Sequence, residues 1–109
     1  MKRFCLALDL KDDPELIATY LEYHKHVSPI IKASITNAGI TVMDIYCTGN
    51  RLFMIMETSD DFDFDKKAAM DAANEKVQEW ENLVGKLQQV LPWAKPGEKW
   101  VLMNQIFQL

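Results

Sequence analysis

The side chains of this sequence that are best suited to proton transfer are Tyr20 and His24. They are four residues apart, so on a helix they lie on one face, one turn from each other. Imidazole titrates near neutral pH, and a phenol can orient or donate a proton. His26 points away from that face, so the two histidines do not form a helical metal pair. The same spacing also fits ordinary helix-surface or core residues, and the pair is therefore a candidate.

Trp80 is the tryptophan with the clearest helical context. With Val84 and Leu87 it has the spacing of a buried helical stripe, so core packing is its default role. An aromatic ring can also form a platform for the apolar C–H face of a sugar. The sequence contains no phosphate-binding glycine loop and no HExxH, CxxC or GxSxG motif. Most nucleotide, zinc and serine-hydrolase functions are thereby excluded.

Composition and charge limit the number of domains, the possible partners and the cellular location. The chain has 109 residues, 49% of them hydrophobic and 26% charged, which predicts a single domain over residues 1–109. A net charge of −4 argues against a nucleic-acid partner. No apolar run approaches the roughly 20 residues of a membrane helix, so we expect no membrane partner. Cys5 and Cys47 make no disulfide framework and no signal peptide is evident, which predicts a cytoplasmic protein with reduced thiols.

The elements that must position these residues follow from strand, cap and turn signals. Asp13 and Pro14 are typical of a helix start, Pro29 should kink or break that helix near residues 26–28, and Gly39 should end its second segment. We predict strands at 4–8, 40–47, 51–57 and 100–107, a hairpin turn at 48–50, and helices at 66–73 and from 74 to about 89.

The order βαββαβ predicts an α+β, ferredoxin-like fold, an antiparallel sheet with helices on one face. Side chains alternate along a strand, so Phe53 and Ile55 point to one face while Leu52, Met54 and Met56 point to the other. Both faces are therefore apolar, and helices cover only one. Because an exposed apolar sheet face is costly, we expect a homodimer whose sheets pack face to face and leave a cavity in each subunit.

Several segments together resemble one known family. Tyr20-Leu21-Glu22-Tyr23-His24, followed five residues later by Pro29, resembles the Tyr-x-x-x-His…Pro signature of the L-rhamnose mutarotase family. Further segments are similar to that family in the same order through nearly the whole chain; they are residues 37–40, 43–46, 50–54, 77–80 and 103–107. Each segment is short, so the specificity of the resemblance comes from the shared order and spacing.

The resemblance implies a dimeric α/β barrel and an isomerase that interconverts the α and β anomers of L-rhamnose without a metal or another cofactor. It implies that His24 is the catalytic general acid/base and that Tyr20 contacts the sugar. The family's other substrate-binding positions, an aromatic residue on the second strand and a tryptophan pair on the late helix, correspond to Met43, Trp80 and Glu81. The resemblance therefore implies that the binding partner is a monosaccharide substrate, L-rhamnose or a related aldose.

Two further positions depart from the family pattern. Ser28 occupies the place of a tryptophan often found before the helix-breaking proline, and Ile30 that of an acidic residue after it. Together with Met43 and Glu81, these departures affect the identity of the sugar more than the type of reaction. Two alternatives share the fold: a non-catalytic sugar or small-molecule binding module, and a cofactor-independent monooxygenase-like barrel. Sugar binding without faster anomer exchange would indicate the first, and oxygen consumption with a quinol the second.

Overall fold

The helices and strands follow the expected order, with each long helix divided into two pieces. A computed structural model describes residues 1–109. Its elements are β1 Lys2–Leu10, α1 Pro14–Tyr23, a 3-10 turn His24–His26, α2 Pro29–Asn37, β2 Ile40–Thr48, β3 Arg51–Thr58, α3 Phe64–Ala72, α4 Glu75–Gly85, β4 Gln88–Gln89 and β5 Val101–Leu102. No helix is long and apolar enough to span a lipid bilayer.

The strands form one antiparallel sheet in the order β2-β3-β1-β4, with β5 also paired to β1. The β1–β3 ladder runs from Lys2 opposite Thr58 to Asp9 opposite Arg51. β4 and β5 both pair antiparallel with β1, at successive positions along it. This strand order confirms the predicted α+β, ferredoxin-like architecture.

The helix starts are set by local capping. The Asp13 carboxylate accepts hydrogen bonds from the backbone N–H groups of Glu15 and Leu16, at 2.9 and 3.3 Å, and Pro14 occupies the first helical position. Pro29 starts α2 in the same way after the 3-10 turn. The predicted break at Pro29 is therefore confirmed, and it places the half-buried His24 directly after α1, in the 3-10 turn.

Two glycines make the turns before and within the β2–β3 hairpin. Gly39 has φ +96°, and a Cβ added there would lie 2.7 Å from the Ser59 hydroxyl oxygen, so no other residue fits without displacement. Gly49 has φ +56° and is the first central residue of the two-residue hairpin loop. Both positions agree with the turns predicted from the sequence.

The predictions for the last third of the chain were partly wrong. The final helix ends at Gly85 instead of continuing to about residue 89, because the backbone then pairs with β1: Lys11 N–H donates to the Leu87 carbonyl, and β4 follows. The last strand contains Val101–Leu102 only, whereas residues 100–107 were predicted. After the Met103 N–H bond to the Cys5 carbonyl the chain leaves the sheet, and no ladder supports the rest of the predicted strand.

The sheet has two different faces, which we call the helix-covered face and the open face. On the helix-covered face the strand side chains are buried, at 0–7% exposure; they are Leu6, Leu8, Leu10, Leu52, Met54 and Met56. The open face contains the alternate residues of the same strands, which join neither core cluster and, except for the buried Asp9, are half-buried or exposed; they include Cys5, Ala7, Phe53, Ile55, Tyr46 and Val101. The predicted alternation is confirmed.

Candidate active site

An aromatic group lies where α1 and α4 pack on the helix-covered face. Its base is a buried cluster that contains Tyr20; the other members are Leu10, Leu52, Val84 and Leu87. Trp80 of α4 packs against this cluster and is partly buried. The site is thus supported by the core of the protein and not by a loop, so its geometry depends on core packing.

His24 stacks on Tyr20. The two ring centroids are 4.3 Å apart, with 29° between the planes. His24 Nδ1 lies 2.9 Å from the backbone carbonyl oxygen of Tyr20. A carbonyl oxygen only accepts hydrogen bonds, so Nδ1 carries a proton in this contact, and in the neutral imidazole the lone pair is then on Nε2. This is the tautomer in which an imidazole can act as a base through Nε2.

Trp80 completes the group. Its ring lies 5.2 Å from the His24 ring, centroid to centroid, with an edge-on angle of 64°. The three residues therefore form one continuous aromatic group, contributed by one end of α1 and by α4. His26 lies outside it: its side chain is exposed, and its Nε2 is 3.6 Å from a carboxylate oxygen of Glu22. The structure thus separates two histidines that are only two residues apart in sequence.

Tyr20 is 2% exposed, and its environment changes its acidity. Burial raises the pKa of the Tyr20 phenol to about 12, the side chain of Gln88 acts in the opposite direction, and the nearby Cys47 raises it slightly. At neutral pH Tyr20 is consequently a neutral phenol. It can donate or accept a hydrogen bond, but it cannot serve as a base.

The other predicted binding residues lie outside the aromatic group. Met43 packs against the neighbouring core cluster, which contains Leu6, Ile40, Met54, Met56 and Phe62. Glu81 lines an open polar depression together with Asn82, Gly85, Lys86 and Lys99. Contact of Met43 or Glu81 with a sugar remains a prediction. Two other positions depart from the family pattern: Ser28 caps α2, and Ile30 is about half exposed.

Three residues near the aromatic group were missed by the sequence reasoning. Trp100 and Ile45 pack against both core clusters and so connect the two halves of the helix-covered face. Gln88 places its side chain beside Tyr20. The alternation of β2 was the available signal for Ile45. Gln88 and Trp100 were hidden by the errors in the end of α4 and in the last strand.

No three His, Cys, Asp or Glu side chains come together to form a site that could hold a metal ion. A second polar depression, lined by residues of the α2 C-terminus and the α3 start, has a volume of about 280 Å³ and includes Asp61, Asp63 and Lys66. None of the aromatic group lines it. Chemically, the aromatic group combines an imidazole with a free Nε2, a neutral phenol and an indole, which suits proton transfer on a small polar molecule with apolar C–H groups.

Known proteins resemble this chain over its whole length. The L-rhamnose mutarotase family matches residues 3–109. A protein of Xanthomonas campestris pv. campestris described as L-fucose mutarotase is 43% identical over 111 aligned positions, which cover 100% of this chain and 89% of that protein. The two descriptions name the same reaction type on two different sugars.

Solved structures resemble the fold. A crystal structure of an L-rhamnose mutarotase from Formosa agariphila superimposes with a TM-score of 0.72 at 20% identity and covers 100% of this chain and 99% of that chain. A dimeric ferredoxin-like protein from an uncultured marine organism superimposes with a TM-score of 0.56 at 12% identity, covering 98% and 90%. At these identities the likeness establishes the architecture alone.

Proposed function

This chain belongs to the L-rhamnose mutarotase family and is an isomerase acting on sugar anomers, and from that premise we propose that its substrate is a 6-deoxyhexose, L-rhamnose or L-fucose, with His24 as the proton-transfer residue. The observation that carries the role of His24 is its hydrogen bond to the Tyr20 carbonyl, which holds the proton on Nδ1 and leaves Nε2 free. The family name supports L-rhamnose, and the 43% identical relative supports L-fucose.

The reaction asks for one acid and one base. His24 Nε2 removes the proton of the anomeric hydroxyl, the bond between C1 and the ring oxygen breaks, and solvent water donates a proton to the ring oxygen as the open aldehyde forms. The protonated His24 returns its proton to the hydroxide left by that water. Reversal of these steps on the other face of the aldehyde gives the second anomer, so atoms and charge balance over the cycle. Tyr20 acts as a neutral hydrogen-bonding group, and Trp80 forms an apolar wall for the sugar's C–H groups.

The role of His24 is tested by anomer exchange, measured by saturation-transfer NMR. We expect His24→Ala to lower the enzymatic exchange rate about 10²- to 10⁴-fold, the usual contribution of a general acid/base. His26→Ala is the matched control, because His26 is an exposed histidine two residues away that lies outside the aromatic group. We expect it to keep the wild-type rate. Wild-type exchange by His24→Ala would show that another group transfers the proton.

The identity of the sugar is tested with L-rhamnose, L-fucose, L-lyxose and D-glucose. We expect the two 6-deoxyhexoses to exchange faster than D-glucose at equal enzyme concentration, because their methyl group suits the apolar surroundings of Trp80. Equal acceleration of all four sugars would contradict the proposed preference. Binding of a sugar with no acceleration of any would instead indicate the non-catalytic binding module.

We further propose that the open face pairs with the open face of a second copy. Its centre is apolar, and each end carries an ion pair: Arg3 with Glu57 at 3.0 Å, and Arg51 with Asp9 at 2.8 Å. An apolar centre with charged ends suits a two-fold interface, in which each patch meets its own copy. The likeness to a dimeric ferredoxin-like protein supports this homodimer.

We also propose a cytoplasmic location and a single domain. Cys5 and Cys47 are both free, which suits a reducing compartment. The family match over residues 3–109 supports one domain for the chain. Separation of a cytoplasmic fraction from a secreted one, followed by immunodetection, tests the location; recovery in the secreted fraction would contradict it.

A further inference from the structure

Gln88 contains an unusual buried atom. Its side-chain oxygen Oε1 is buried and has no hydrogen-bond partner. Desolvation of an acceptor without a donor is unfavourable, so native proteins rarely leave a buried acceptor unpaired. A donor for this oxygen must therefore be sought among the groups that already surround the side chain.

The surroundings of Gln88 are those of Tyr20. In the sheet Gln88 pairs with Leu10, and Leu10 belongs to the buried cluster that contains Tyr20. Leu87, the residue before Gln88, belongs to that cluster too. Residues directly opposite each other on paired strands share a face, so the Gln88 side chain lies on the face of Leu10 and Tyr20. It is close enough to lower the pKa that burial alone would give the phenol, so its influence on the Tyr20 pKa is opposite to that of burial. In this orientation of the amide, its oxygen makes no hydrogen bond to the phenol.

The two ends of a glutamine amide have nearly the same shape, so the amide can turn over in place. The turned amide offers Oε1 to the Tyr20 O–H, which gives the buried oxygen its donor. We infer that Gln88 is a positioning residue for Tyr20, whose phenol proton it accepts through Oε1. The phenol oxygen is then held as a hydrogen-bond acceptor for a hydroxyl of the sugar. The part that concerns the sugar rests on the proposed function.

The consequence for the site is geometric. Tyr20 stacks on His24 with 4.3 Å between ring centroids, so a hydrogen bond that holds the phenol also holds the surface beneath the imidazole. Gln88 touches no reacting atom in this scheme and acts only through Tyr20. Its effect must therefore disappear when the Tyr20 hydroxyl is removed, and that dependence separates positioning from a general structural role.

The test is a double-mutant cycle with Gln88→Leu and Tyr20→Phe, read as kcat/KM for anomer exchange. We expect Gln88→Leu to lower kcat/KM by about 3- to 10-fold in the wild-type background, the size of one lost hydrogen bond. In the Tyr20→Phe background the same change should have no further effect. Equal losses in both backgrounds would overturn the inference. The matched control is Gln89→Leu, an exposed neighbour on the same strand, which should leave kcat/KM unchanged.

Two additional measurements remove ambiguity. Gln88→Met keeps a side chain of similar length without an acceptor oxygen or an amide N–H, so it should lower kcat/KM as much as Gln88→Leu does; wild-type kcat/KM in Gln88→Met would show that the amide is not needed and would overturn the inference. Wild type, Gln88→Leu, Tyr20→Phe and the double variant are also unfolded in urea. If the hydrogen bond forms, Gln88→Leu should lower the urea midpoint more in the wild-type background than in the Tyr20→Phe background. This comparison needs no sugar, so equal shifts would contradict the inference even if the substrate proposal holds.

Discussion

The two faces of the sheet are made by the same strands, yet they differ in almost every physical respect. In β1, Leu6 and Leu8 are 6% and 0% exposed, while Cys5 and Ala7, which alternate with them, are only partly buried. The helix-covered face supports the aromatic group and the core. The open face supports no helix. A period of two thus lets one strand contribute to the packed core beneath the aromatic group on one side and to an uncovered, partly apolar surface on the other.

Polar groups on the two faces differ in their access to water. On the open face they form ion pairs between neighbouring strands, such as Arg3 with Glu57, where at least one partner reaches water. On the helix-covered side Tyr20 is nearly inaccessible, and burial raises its pKa to about 12. Burial therefore raises the pKa of a side chain on the helix-covered side, whereas ion pairs lie at the two ends of the open face. The predictions below test this difference, from the largest expected effect on stability to the smallest.

Truncation of a core side chain should have the largest effect. Leu8 is 0% exposed on the helix-covered face. We expect Leu8→Ala to lower the free energy of unfolding by about 2–5 kcal/mol, because apolar contacts are lost and a cavity remains. Ala7→Ser, one residue away on the open face, is the control and should change it by less than about 1 kcal/mol. Urea unfolding measures both, and equal losses would contradict the contrast between the faces.

Alkaline pH should destabilise the protein through Tyr20. Its folded-state pKa is about 12, above the ordinary value of 10.0, so the unfolded chain loses this proton first as pH rises. The stabilisation is fully present below pH 10 and is lost between pH 10 and 12, and about two pK units correspond to about 3 kcal/mol. Urea unfolding at pH 8 and pH 11 should show the fall in wild type and a smaller one in Tyr20→Phe. An identical fall in both would assign it to other groups.

A charge on the open face should change association more than folding. We expect Ile55→Asp to convert the proposed dimer to a monomer at micromolar concentration, because a carboxylate in the centre of the apolar patch would be desolvated on pairing. The stability of the monomer should change by about 1 kcal/mol or less, since Ile55 lies outside the core clusters. Light scattering after size exclusion measures the state. Ala68→Asp on an exposed position of α3 is the control, and a monomeric wild type would refute the dimer.

Much of the fold could be predicted because its signals are local. The start of α1 depends on Asp13 and Pro14, and Asn74 caps α4 through hydrogen bonds to the next residues along the chain. The hairpin depends on Gly49 in the turn. Each of these features involves residues only a few positions apart, so the sequence contains the complete interaction.

The site could be predicted only in part. Tyr20 and His24 are one helical turn apart, and their stacking follows from that spacing once α1 forms. The contact between His24 and Trp80 joins residues far apart in sequence and was implied by the family resemblance, not by spacing. Gln88 was missed because helical periodicity continued past Gly85, whereas pairing with β1 converts the backbone there into a strand.

The sequence by itself determined which segments as far as Gly85 are helices and strands, which residues of each of those strands share a face, and that the two faces are both apolar. These properties depend on caps, turns and alternation, which are short-range. Only the tertiary structure decided that Gln88 borders Tyr20, that Trp100 connects the two core clusters, and that the last strand is two residues long. Those outcomes depend on competition between distant segments for the same buried surface and the same backbone hydrogen bonds of β1, a competition that is resolved when the sheet assembles.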